Sequence, residues 1–203
     1  MAARKPRAKE DLKAQILEAA LPDIPFDGWT DELLERTAAR LKLSQDDIAE
    51  NFPEGPVGLI RYFSVWADEK MLAKIKAKKS DERISERITR SVRARLEILT
   101  PHKQAVSASL SRLAIPPHNL LLPKMVWKTS DAIWRAAGDT STDYNYYTKR
   151  LLLSGVLTST TLFWLNDKST DAEKTWAFLD RRIANVLKIG RGIGKLREKR
   201  KKA

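Results

Sequence analysis

The stretch GDTSTDYNYYTKRLLLSGV, residues 138–156, sets two cations, Lys149 and Arg150, directly against a run of leucines. A guanidinium is a planar fork of N–H donors that fits a carboxylate or a phosphate two bonds at a time. The chemistry on offer is therefore anion binding. On a helix that begins near Asp143, the residues Tyr144, Tyr147, Leu151, Gly155 and Thr158 follow steps of three and four and share one face. Tyr146, Arg150 and Leu153 form a neighbouring stripe. Both stripes are bulky, so the helix is expected to be buried on most sides, where an unpaired guanidinium is costly. Three kinds of partner fit Arg150: an internal ion pair with Asp139, Asp143 or Asp131, a carbonyl array, or the anionic end of a ligand, a phosphate above all. Gly138, Asp139, Ser141, Thr142 and Asp143 read as a turn and N-cap that fix this helix. The preceding segment presents Met125, Val126, Trp127, Ile133 and Trp134, core by default, and together these groups could line an apolar cavity with one cationic mouth.

Other chemistries have little to stand on. The chain has no cysteine, which excludes disulfides, thiolate zinc sites and cysteine nucleophiles. Its two histidines, His102 and His118, each sit beside a proline, and no Glu-x-x-His pair occurs. Neither a Gly-x-Ser-x-Gly elbow nor a Gly-x-x-x-x-Gly-Lys phosphate loop is present, and the basic string IGRGIGK has the wrong spacing for one. No catalytic residue, metal or cofactor is expected.

The elements that position these residues read as all-α. Pro and Gly fall between segments with helical periodicity, and no β-branched run alternates with period two. Helices are expected over 9–20, 30–42, a short stretch capped by Ser44 with Asp47 in capping-box spacing, 57–77, 80–99, 103–113, 124–137 closed by Gly138, 143–165, and 170–188, where Thr170 and Glu173 have capping-box spacing. Gly190, Gly192 and Gly194 argue against a regular helix beyond that. The 203 residues, 42% of them hydrophobic, suffice for a real core, and the net charge of +12 points to an anionic partner. That charge gathers at the ends: residues 188–202 hold eight Lys or Arg against one acid, Glu198. The longest apolar stretch, 151–165, contains five Ser or Thr and falls short of the roughly 20 residues that span a bilayer.

The first helices carry a resemblance. ALPDIPFDGWT, followed by LKLSQDDIAENFPEGPVGLIRYFSVWADEKML, is similar to the DNA-binding head of TetR-type regulators, through Phe26, Gly28, Trp29, Tyr62, Phe63 and the run Asp68 to Leu72. The charges oppose that use. Between Ser44 and Ile60 stand Asp46, Asp47, Glu50 and Glu54, with no cation before Arg61. Duplex DNA presents one negative charge per about 1.7 Å, and Lys or Arg contacts supply most of a reader's affinity. A TetR-like packing without the DNA-reading face is expected, and no nucleic-acid partner.

A second resemblance is longer. RLEILTPHKQAV, DAIWRAAGDTSTDYNYYTKRLLLSGV and TWAFLDRRIANV, spanning about 95–187, are similar to the Coq-nine family of coenzyme Q (ubiquinone) biosynthesis accessory proteins. The resemblance implies an all-α TetR-like helical bundle with a degenerate helix-turn-helix head, a dimer, and no catalytic activity of its own. It implies a lipid-binding protein that presents polyprenyl-quinone intermediates to the di-iron demethoxyubiquinone hydroxylase at the membrane. On that pattern Arg150 touches a phospholipid headgroup, and Tyr147, Leu151, Trp134, Ile133 and Trp127 contact phospholipid or isoprenoid quinone. Tyr146, which stands where the family often has tryptophan, joins Tyr147 and Asp143 in a surface for the hydroxylase. The basic amphipathic tail, with Ile189, Ile193 and Leu196 among Arg191 and Lys195, would lie on the membrane surface. The domains expected are a head at 1–78, a lipid-binding domain at 79–188 and the tail at 189–203. With no transit peptide ahead of the first helix, the expected place is the inner face of a bacterial plasma membrane, or the mitochondrial matrix side in a eukaryote.

Overall fold

Apolar residues at steps of three and four fold into helices, and no strand occurs among the described residues. The computed structural model describes residues 6–76, 82–142 and 144–201, with side chains placed over 12–76, 82–142 and 144–189. In chain order the helices are α1 (Pro6–Ala20), α2 (Ile24–Asp27), α3 (Asp31–Leu41), α4 (Gln45–Asn51), α5 (Gly55–Lys76), α6 (Ile84–Leu99), α7 (Lys103–Leu113), α8 (Leu121–Ala136), α9 (Tyr144–Asn166) and α10 (Glu173–Lys201). The chain divides into two compact units, Met1–Lys70 with Ile98–Met125, and Met71–Glu97 with Val126–Ala203.

In the first unit, α1 packs on α3 and α2 on α7. Ile16, Leu17, Leu33 and Leu34 are buried there with Thr37 and Ala38. Thr30 caps α3 by accepting from Leu33 N. Ser44 and Asp47 form the reciprocal capping box that starts α4. The segment between α1 and α3, expected as an irregular connection, contains the short helix α2, which ends at Gly28 with φ +67°. That turn delivers Trp29 into the core, where its Nε1 donates to Ala105 O at 3.1 Å and its ring meets Phe63. Phe63, Trp66 and His102 complete the aromatic cluster.

In the second unit α9 packs along α10, with Phe163 and Phe178 stacked at 4.5 Å. Arg93 of α6 lies over the Trp176 ring. Two sequence expectations fail at α10. Thr170 does not cap it; Asp167 does, accepting from Ser169 and from the Thr175 backbone and hydroxyl, while Ser169 Oγ accepts from Lys174 N. These bonds hold the Asp167 carboxyl well below the usual range, Ser169 first and Thr175 next. The helix also runs to Lys201 through the three glycines. A glycine weakens a helix by about 1 kcal/mol relative to alanine without forbidding it. The side chains of Ile193, Leu196, Arg191 and Lys195 lie outside the described residues.

Candidate functional site

The site forms where α8 ends and α9 begins. Gly138 closes α8 in a left-handed turn at φ +92°, with Gly138 N donating to Arg135 O and Asp139 N to Trp134 O. This paired arrangement satisfies the last carbonyls of α8 and reverses the chain. The reversal brings Asp139 back toward Asp131, and α9 then carries Arg150 between them.

Arg150 is 1% exposed. Its Nε donates to Asp131 Oδ1 at 2.7 Å, and its Nη1 to Asp139 Oδ2 at 2.8 Å and to Tyr146 O at 3.3 Å. The guanidinium stacks on the Tyr146 ring, 3.6 Å from its centroid. Lys149 donates to Asp139 Oδ1 at 2.6 Å and to Ser141 Oγ at 2.8 Å. Arg135 donates to the second oxygen of Asp131. Burial pushes the Asp139 carboxyl up, but Lys149, Arg150 and Ser141 outweigh it and hold the group well below the usual carboxylate range. Burial likewise raises Asp131, and Arg150 and Arg135 bring it below its ordinary value. For Arg150 burial disfavours the charge, and the two aspartates more than restore it.

Of the partners open to Arg150, the structure shows the internal pair with Asp131 and Asp139. In this structure the donor fork that the resemblance implies for a phospholipid headgroup is held by two carboxylates, and the group is sealed from solvent. Asp143, the third aspartate considered, lies outside the described residues.

The remaining expected residues separate into two sets. Ile133 is fully buried, and Trp134 is half-buried, its Nε1 donating to Lys149 O at 3.0 Å. Trp134, with the Lys149 ammonium over its ring, supports the ion network. Trp127 meets the rings of Tyr146 and Tyr147 at 6.4 and 6.3 Å, and the two tyrosines meet edge-on at 5.1 Å. Tyr147 and Leu151, by contrast, are 62% and 66% exposed. Tyr144 and Leu162 are exposed as well, and so are Gly155 and Thr158 between them. The face predicted from spacing is therefore outward and mostly apolar. Leu162 extends it one further turn, readable from its step of four beyond Thr158. Ile189, the described member of the expected membrane set, is exposed.

Among the described residues, no three His, Asp or Glu side chains gather as a metal site would need, and no helix is long and apolar enough to cross a membrane.

A family model described as COQ9 matches residues 121–190, which contain this whole site. The ubiquinone biosynthesis protein COQ9, mitochondrial, of Bos taurus is 34% identical over 200 residues, covering 90% of this chain and 60% of that protein. Its counterpart in Homo sapiens is 32% identical over 200 residues, with the same two coverages. The chain is similar to COQ9 proteins over most of its length. It spans about three fifths of the length of these COQ9 relatives. Among solved structures, a TetR transcriptional regulator from Nitrosomonas europaea superposes with a TM-score of 0.69, covering 87% of this chain and 98% of that one at 23% identity. At that identity the likeness shows the fold alone: the chain has a TetR-like all-α fold.

Proposed function

We propose that this chain is a lipid-binding accessory protein of ubiquinone biosynthesis. In this reading it presents polyprenyl-quinone intermediates to the di-iron demethoxyubiquinone hydroxylase, as a homodimer on a membrane surface and without catalysis of its own. The observation that carries the reading is the 34% identity to COQ9 over 90% of the chain, joined to an exposed apolar face at the matched segment. Tyr147 and Leu151 offer that face to the isoprenoid or to the hydroxylase, with Tyr144 beside them. Trp127 and Tyr146 back it with aromatic rings. Arg150 serves by position: stacked on Tyr146 and bonded to its carbonyl, it holds the aromatic pair at the head of α9. Ile189 begins the basic membrane segment.

The test is a deletion strain, which should accumulate the quinone intermediate lacking the hydroxylase's oxygen and recover on return of the gene. An unchanged quinone profile would overturn the proposal. A TetR-type regulator is the rival use of this fold. Asp46 and Glu50 stand exposed on α4, and Glu54 after it pairs with Arg61. No sequence-specific complex with upstream DNA is expected in a gel shift.

A further inference from the structure

The connection between α7 and α8 is used by nothing described so far. Residues 98–125 contain no Asp or Glu, although the chain has 26 of them in 203 residues, a density that would place about three or four there. The segment is cationic through Lys103, Arg112 and Lys124, and Arg112 and Lys124 are exposed. At its tip Ile115 and Leu120 are 62% and 67% exposed, with Pro116 and Pro117 exposed between them.

Single exposed leucines are ordinary surface. Three features together make this turn different. It is firm: the short helical turn His118–Leu120 packs back on α7, His118 N donates to Ile115 O at 3.0 Å, and Leu121 N to His118 O. It spends few backbone donors, because the two prolines have no N–H to strip of water. Its surroundings are electrostatically one-sided. Two acids at the ends of α2, the helix packed on α7, are already neutralised: Asp23, just before it, by Arg40, and Asp27, its last residue, by Arg36. An apolar tip with cations and no carboxylates in its own segment suits the boundary of an anionic bilayer, where aliphatic groups enter the acyl edge and Lys or Arg stay among the headgroups.

We propose that the α7–α8 turn is a membrane-docking element of the first unit, inserting Ile115 and Leu120 into an anionic lipid surface with Arg112 and Lys124 on the headgroups. The proposal rests on the membrane part of the reading above and adds a contact made outside α10.

The absence of cysteine allows a site-specific test in the full chain. Leu120→Cys is labelled with an environment-sensitive nitrobenzoxadiazole dye, and Glu32→Cys, on the exposed side of α3, serves as the control. On mixing with phosphatidylcholine–phosphatidylglycerol vesicles, the dye at 120 should shift to the blue, brighten, and be quenched by acyl-chain nitroxide lipids; the dye at 32 should not respond. Arg112→Gln with Lys124→Gln should lower vesicle affinity roughly tenfold to thirtyfold, given about a fivefold effect per basic residue. Flotation separates the failures. If the protein floats and the dye at 120 is silent, the turn is not a docking element and the membrane reading stands. If the protein does not float at all, the membrane reading falls and takes the turn with it. A dye response to protein concentration without vesicles would make the turn a contact between copies and overturn the proposal.

Discussion

The same residue type does opposite work in the two units. Around α4, Asp46 and Glu50 stand exposed and Asp47 closes a surface cap. At the α8–α9 junction, Asp131 and Asp139 turn inward and hold a guanidinium that would otherwise be stranded. Exposed acids are nearly free to change. Buried ones are bound by their partner.

The comparison breaks first at Arg150. Arg150→Met leaves Asp139 with Lys149 and Ser141 but removes the guanidinium it shares with Asp131, and breaking such a buried pair costs up to about 3–5 kcal/mol. Urea unfolding should show that loss, and the triple variant Arg150→Met, Asp131→Asn, Asp139→Asn should regain most of it. An Arg150→Met chain as stable as the original would mean the ion network contributes nothing.

Acid titration sharpens the contrast. Asp131 and Asp139 are held below the roughly 3.9 of an unfolded aspartate, so their contribution is complete above that value and drains as pH falls through their lower folded values. Unfolding measured by circular dichroism should lose stability below about pH 4, and the triple variant should flatten that slope. In the first unit, Ser44→Ala removes one half of the α4 capping box and should cost about 1 kcal/mol. A calorimetric loss several times larger would contradict the picture of a surface cap.

Much of the scaffold was legible because helical period and stop signals are local. Lys103–Leu113 begins and ends where the spacing placed it, the Ser44–Asp47 box is present, and Gly138 closes α8. What escaped depends on bonds between neighbours that pattern alone does not rank. α2 has only four residues, too few to show a period. The α10 cap falls to Asp167, six residues ahead of Glu173, rather than to the Thr170 that capping-box spacing favours. At the site, spacing placed Tyr147, Leu151 and Thr158 on one face of α9, and burial turned that face outward. It could not choose among the aspartates for Arg150, because the choice is made by the Gly138 reversal that brings Asp139 and Asp131 to opposite sides of one guanidinium.

We propose that lipid is handled by the apolar face of α9 rather than by a free arginine. Mass spectrometry of organic extracts decides it, comparing the purified chain with Leu151→Asp plus Leu162→Asp, two exposed positions whose change should alter stability by no more than about 0.5 kcal/mol each. The native chain should carry an isoprenoid quinone or phospholipid, and the double variant should lose most of it while melting at the same temperature. Lipid retained undiminished by the variant, or absent from the native chain, would contradict the account.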